Sequence, residues 1–189
     1  NLVKYILQHK LDINVIGLYN SEKKYSIFKK KYPNVLTYKQ NLTSGTFRTF
    51  FINILKKHKI NYIIHSAAMK HVNICEENPI CAINTNVIAS NIIVEEAINN
   101  NIKNVICIST DKSNTPYNVY GMSKNIMEKI VLKNGFSIFQ GANFFGSDGS
   151  VLDIWFQQYF ANDNLNVSNV ECYRYFNNID YICKLLITN

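Results

Sequence analysis

The chain has 189 residues, 47% of them apolar and 13% aromatic, with 20 Lys or Arg against 13 Asp or Glu and a net charge of +7. This composition excludes a disordered chain and suffices for one domain with a sizeable buried core. No apolar run approaches the ~18 residues of a membrane span, and no signal peptide is visible at Asn1.

The positive charge is mostly lysine, in Glu22-Lys23-Lys24, Lys29-Lys30-Lys31 and Lys56, Lys57 and Lys59, on patterns that read as solvated helix faces. Arginine occurs only at Arg48 and Arg174, which argues against a nucleic-acid surface and leaves a basic exterior suited to steering an anionic small molecule. Five cysteines (Cys75, Cys81, Cys107, Cys172 and Cys183) contain no Cys-x-x-Cys pair, so reduced thiols in a cytoplasmic setting are expected. The four histidines lack ligand spacing; His65 and His71 read as hydrogen-bonded structural residues, and no metal is expected.

In chain order, helical spacing predicts a helix over residues 1–10, then a strand at 14–19 and a lysine-rich helix at 21–31 closed by Tyr32-Pro33. A strand at 35–39 precedes a helix at 45–58 with Phe47, Phe50, Phe51, Ile54 and Leu55 on its inner face. A strand at 61–66, a long helix at 79–100 and a strand at 105–109 follow. A helix running from near Val119 to about Asn134, a strand at 136–140 and helices at 151–160 and 179–187 complete the pattern. Strands alternating with helices predict βαβ units, a parallel sheet and an α/β, doubly wound, Rossmann-like fold. A single domain over 1–189 is expected, with 1–140 as a cofactor-binding core and 141–189 as the start of a small substrate-binding region. The chain opens inside what would be the first helix of such a fold. Its first strand and Gly-rich turn are not in the sequence; a fragment is the expected cause, a degenerate protein the alternative.

The densest chemistry lies in Cys107–Lys129. The apolar run Val105–Ile108 stops at Ser109-Thr110-Asp111-Lys112, and ligands bind beyond the carboxyl ends of such strands. Tyr120 and Lys124, spaced i, i+4, fall on one face of the following helix. A cation beside a phenol favours the phenolate and draws its pKa down from ~10 towards a working range. Asp111, Lys112 and Tyr120 are therefore the candidate catalytic acid, amine base and phenol.

Together these motifs make the chain similar to the UDP-N-acetylglucosamine 4,6-dehydratases of polysaccharide biosynthesis, which are extended short-chain dehydrogenase/reductases. The likeness also rests on His65–Val72, Thr85-Asn86, the Asn-x-Tyr-Gly segment at Asn118–Gly121, and Asn143–Val151, in the same order. It implies that Tyr120 takes the proton from sugar O4 while hydride leaves C4, that Lys112 removes the C5 proton, and that Asp111 protonates the departing C6 hydroxyl. Lys112 is then expected to lie buried among other cations, which would keep its amine unprotonated. The resemblance further implies cofactor contacts at Ser21, Asn41, Leu42, Ala67, Ala68, Tyr120 and Lys124, and substrate contacts at Lys70, Thr110, Asn143 and Arg174. It implies a nucleotide-sugar substrate, NADP as cofactor, and a homo-oligomer. No arginine follows the first strand, in Tyr19-Asn20-Ser21-Glu22, so Lys23 or Lys24 would replace it and NAD stands as the alternative. Gln140-Gly141-Ala142 replaces an Arg-Tyr-Gly of the family. The alternatives are a 4-epimerase or ketoreductase on the same scaffold, or a non-catalytic nucleotide-binding domain.

Overall fold

Residues 1–145, 150–167, 171, 173 and 175–188 are described in the computed structural model of the chain. They form two compact units, one spanning Asn14–Gln140 and the other joining Asn1–Ile13 to Gly141–Asn189. In chain order the helices and strands begin with α1 (Leu2–Gln8), β1 (Ile16–Tyr19), α2 (Glu22–Lys31), β2 (Leu36–Lys39), α3 (Phe47–His58) and β3 (Tyr62–His65). Next come α4 (Val72–Glu77), α5 (Pro79–Ile83), α6 (Ala89–Asn99), β4 (Asn104–Thr110), α7 (Val119–Lys133) and β5 (Ser137–Gly141).

Each element of the larger unit has a local cause. α2 is capped by the Ser21 hydroxyl, which accepts the Lys24 N–H, and its acidic first turn and Lys29–Lys31 last turn complement the helix dipole. On α3, Phe47, Phe51 and Leu55 recur every four residues and are all buried. They join Ile93, Val94 and Ala97 of α6, Val105 and Cys107 of β4, and Met127 and Val131 of α7 in one core. Arg48 of α3 donates to both Glu95 and Glu96, tying α3 to α6. β1 pairs with β2 and β3 with β4, both in parallel, and β5 extends the second sheet in the order β3-β4-β5. Parallel strands flanked by helices make this an α/β, doubly wound, Rossmann-like fold.

Two features depart from the expected elements. α4 was not expected: six residues with only Cys75 buried carry too little periodicity to announce a helix. The long helix over 79–100 is divided into α5 and α6 by a π turn, Asn84–Ile88. The wider turn brings Asn86 and Val87 inside, and Asn86, wholly buried, bonds both the N–H (2.8 Å) and the carbonyl (2.9 Å) of Met69.

In the smaller unit, β6 (Asn143–Phe144) pairs in parallel with β7 (Phe176–Asn177), and α8 (Val151–Phe160) and α9 (Ile179–Thr188) complete the described elements. α1 lies against α9, and the buried residues of the two helices are Ile6, Ile182 and Cys183. No helix among the described residues is long and apolar enough to cross a membrane.

Phe47 is fully buried at the centre of the core of the larger unit. Phe47→Ala is expected to lower unfolding stability by about 3–5 kcal/mol through the cavity it leaves, as read by the shift of the denaturant midpoint.

Candidate active site

β4 ends at Thr110, and its last residues lead into a single 3-10 turn, Asp111–Ser113. The turn is held by its own side chains. Thr110 Oγ1 accepts the Lys112 N–H (3.4 Å) and donates to Asp111 Oδ1 (3.0 Å), and Lys112 Nζ donates to the same carboxylate oxygen (3.1 Å). α7 then starts under two caps. Asn118 Oδ1 accepts the Gly121 N–H (2.8 Å), and Glu76 of α4 accepts the Val119 N–H (2.7 Å).

Glycine at position 121 is dictated by this junction. A Cβ there would stand 2.4 Å from the Lys112 carbonyl oxygen and 3.3 Å from its carbon, so the first turn of α7 and the 3-10 turn touch backbone to backbone. That approach puts Tyr120 near Thr110, whose hydroxyl acts on the phenol to lower its pKa. Thr110, Asp111 and Lys112 thus form one hydrogen-bonded set at the carboxyl end of β4, with Tyr120 beside it.

Burial raises the Tyr120 pKa above its ordinary value; the Thr110 hydrogen bond opposes that rise, and Cys75 and Asp111 add to it. The expected lowering by Lys124 is therefore absent from the substrate-free site. Lys124 is 2% exposed and turned to β4, where its Nζ donates to the Ile108 carbonyl (2.7 Å) and to Met127 Sδ (3.1 Å). Burial brings its pKa from 10.5 down to about 8, against the opposing pull of Cys107 and Glu128. His65, buried at the end of β3 with its Nε2 2.9 Å from Ser90 Oγ, has its pKa brought down to about 3 by burial and by Lys124. Asp111 has a lowered pKa: burial pushes it up, but hydrogen bonds from Lys112 and Thr110 and the Lys112 charge outweigh that. Lys112 also differs from expectation. It sits half-exposed in an ion pair with Asp111, not buried among cations.

The other expected contacts are scattered. At the ends of β1 and β2, Ser21 is occupied as the α2 cap, Asn20 Oδ1 accepts the Leu42 N–H (3.1 Å), and Asn41 Oδ1 accepts from the Thr43 N–H and hydroxyl. Leu42 has its side chain in the core. Glu22, the first residue of α2, is paired with Lys39 at 2.9 Å. After β3, Ala67 packs on the core, Ala68 is half-buried and Lys70 is exposed. Asn143 belongs to the smaller unit, where its amide donates to the Tyr175 carbonyl. Arg174 lies outside the described residues.

Residues assigned no role from the sequence complete the site. Asn86 Nδ2 also donates to Ser123 Oγ (3.0 Å), joining the loop after β3 to α7. Ser113 and Glu128 hold the 3-10 turn from behind. Asn86 was marked in the sequence by the Thr85-Asn86 pair and by its polarity inside an otherwise apolar helix, though with no role assigned; Ser113 and Glu128 carried no signal.

Two groups at the end of β4 suit a ribose or nicotinamide. Lys124 has three donors, of which one reaches an oxygen and one only a thioether, and the Ser109 hydroxyl is buried with no partner among the described residues. No cluster of three or more metal-ligating side chains occurs among the described residues.

The family model described as "Polysaccharide biosynthesis protein" matches residues 1–189. A UDP-glucose 4-epimerase of Rickettsia rickettsii is 34% identical over 127 residues, 62% of this chain and 37% of the relative. Among solved structures, Pen from Bacillus thuringiensis superposes with a TM-score of 0.87 at 24% identity, over 99% of this chain and 61% of that one. A UDP-glucose 4-epimerase of Thermus thermophilus in complex with NAD gives 0.81 at 14% identity, over 99% and 69%. At these identities the structural likeness carries the fold alone. The matched stretch is little more than a third of the length of the curated relative.

Two outcomes test the geometry. Gly121→Ala is expected to cost about 1–3 kcal/mol, because both clashing partners are backbone, and the loss is read in a denaturant titration. Between pH 8 and 10.5 the unfolded chain keeps a proton on Lys124 that the folded chain releases, so this residue makes stability rise with pH across that window. Subtracting the stability–pH curve of Lys124→Met from that of the wild type should leave a positive slope there; a flat difference refutes the assignment.

Proposed function

The chain belongs to the family of polysaccharide biosynthesis proteins, and from that premise we propose that it is a nucleotide-sugar 4,6-dehydratase acting on UDP-N-acetylglucosamine with a nicotinamide cofactor. The observation that carries this reading is the Asp111–Lys112 carboxyl–amine pair, bonded to the Thr110 hydroxyl and close enough to the Tyr120 phenol for both Thr110 and Asp111 to act on its pKa. A 4-epimerase needs a phenol, a hydroxyl and a lysine. It has no use for an acid and a base beside them, because no C6 elimination occurs.

Residues of this chain account for every proton. Tyr120, once its own proton has been lost to solvent, accepts as the phenolate the O4 proton as C4 becomes a ketone, which acidifies the C5 proton. Lys112, as a free amine, accepts the C5 proton, and Asp111, as a carboxylic acid, gives its own to the C6 hydroxyl, which leaves as water. Lys112 then returns its proton to C5. The proton held by Tyr120 passes through the Thr110 hydroxyl to Asp111, and the site is restored. A bound nicotinamide cofactor supplies the acceptance of hydride from C4 and its return at C6. Lys124 and the Ser109 hydroxyl would hold its ribose side, and Ala67 and Ala68 would let it pass close to the backbone after β3. Asn41 and Leu42 would flank its adenine. NADP stays the expected cofactor, with NAD the alternative that an acidic Glu22 beside Ser21 would suit, since a carboxylate repels a 2′-phosphate.

In the substrate-free protein Asp111 and Lys112 stand as an ion pair 3.1 Å apart. The reaction requires the neutral pair, reached by one proton moving from Nζ to Oδ1. A sugar covering the site removes water from both groups, and desolvation disfavours the charged pair.

A 4-epimerase is the second reading, favoured by the UDP-glucose 4-epimerases among the relatives. The experiment is incubation of the whole protein with UDP-N-acetylglucosamine and with UDP-glucose, following the C6 oxygen. A 4-keto-6-deoxy product and released water are expected. Tyr120→Phe should lose ~10²–10⁴-fold in turnover. Lys112→Met and Asp111→Asn should stop water release. A C4 epimer retaining its 6-hydroxyl, formed equally well by Asp111→Asn, would establish the second reading instead.

A further inference from the structure

Behind the 3-10 turn lies a polar cluster that the proposed chemistry does not use. Ser113 is fully buried, and its hydroxyl lies 2.5 Å from the Thr110 carbonyl and 2.6 Å from Glu128 Oε1. Gln140, at the end of β5, donates its amide to Ser113 Oγ (2.8 Å), to Asn114 Oδ1 (2.8 Å) and to Glu128 Oε1 (3.3 Å). From α7, Asn125 Nδ2 donates to the Ser113 carbonyl (2.8 Å). Ser113 is therefore the point where β4, α7 and β5 meet, and the two residues before it in the turn, Asp111 and Lys112, present the carboxyl and the amine.

We propose that Glu128 and Gln140 are positioning residues that clamp Ser113 and so fix the turn carrying Asp111 and Lys112 at its distance from Tyr120. The physical case is that of a buried hydroxyl between acceptors. Thr110 is bonded at both ends, through its carbonyl to Ser113 and through its hydroxyl to Asp111 and Lys112. Any rotation of Ser113 therefore moves the hydroxyl beside the phenol. Gly121 restrains the turn from one side by backbone contact, and the Ser113 clamp restrains it from the other. Tyr120 and Glu128 lie two turns apart on the same helix, so α7 carries both the phenol and the clamp, and the spacing between them is set by a rigid element. The Gln140 amide, with two N–H donors, stands within reach of a hydroxyl, an amide oxygen and a carboxylate, and adds no cation to the cluster.

This inference rests on the proposed dehydratase reading for its kinetic consequence, and on geometry alone for its structural one. The experiment therefore has two arms on the whole protein, comparing wild type, Glu128→Ala, Glu128→Gln and the surface change Gln140→Ala. Hydrogen exchange of the peptide Ser109–Asn114 should quicken about tenfold in Glu128→Ala, less in Gln140→Ala, and little in Glu128→Gln, which keeps an acceptor for Ser113. Exchange in β1 and β2 should not change. In water release from UDP-N-acetylglucosamine, Glu128→Ala should lose about tenfold or more in kcat with KM within about twofold, and Glu128→Gln should recover most of it. Unchanged exchange of the turn in Glu128→Ala, unchanged kcat alongside quickened exchange, or Glu128→Gln as impaired as Glu128→Ala would each overturn the proposal. A wild type that processes no nucleotide sugar, with the exchange results as expected, sinks the dehydratase reading and leaves the clamp standing.

Discussion

The contact on which the site depends is the one between the Gly121 backbone and the carbonyl of Lys112. A β-strand delivers residues to a sheet edge, and a helix delivers them along a cylinder; bringing the two sets within hydrogen-bond reach requires the chains to approach closer than side chains normally allow. Here the approach is possible because position 121 has no Cβ and because Asn118 and Glu76 satisfy the first N–H groups of α7 that the packing would otherwise strand. Once α7 is seated, Tyr120 reaches Thr110, Asn125 reaches the Ser113 carbonyl and Glu128 reaches its hydroxyl. One helix therefore anchors both faces of a three-residue turn.

Burial acts on the titratable groups around this contact. His65 and Lys124 both have pKa values moved towards the neutral form, by burial first and by their neighbours second. Asn86 and Ser90 are wholly buried but satisfied, one by Met69 and Ser123, the other by His65 and the Asn86 carbonyl. Such a network is costly if any member is left unpaired and specific if all are paired. It fixes the loop after β3 relative to α7.

The α/β order could be read from the sequence because it rests on patterns longer than their noise. Phe47, Phe51 and Leu55 announced α3, the alternation of apolar runs with lysine-rich stretches gave the strand and helix order, and α8 falls on the predicted residues. The Tyr120–Lys124 spacing and the strand end at Thr110 gave the centre of the site for the same reason. What escaped was whatever tertiary contact alone decides. α4 and the two-residue strands β6 and β7 are too short for periodicity, and the π turn at Asn84–Ile88 exists because Asn86 finds Met69 across the chain. Lys124 was expected to face the phenol because i, i+4 residues share a helix face; its Nζ instead follows the stronger attraction of a buried carbonyl at Ile108. Ser113 and Glu128 gave no signal, since a serine in a turn and a glutamate on a helix are what any surface would show.

The choice between elimination and simple epimerisation comes down to the state of one ion pair. Asp111 holds its charge because Lys112 and Thr110 both donate to it, and as long as it does, it is an acceptor and cannot protonate a leaving hydroxyl. One of these bonds is also a route by which it would gain a proton in the proposed reaction, since it leads to an ammonium 3.1 Å away. A carboxylate kept only for structure would need no such route. Its partial exposure is the remaining condition, since a sugar that covers Asp111 and Lys112 together removes the water that keeps them charged. The geometry is thus poised by solvation, and the substrate itself is the group that would tip it.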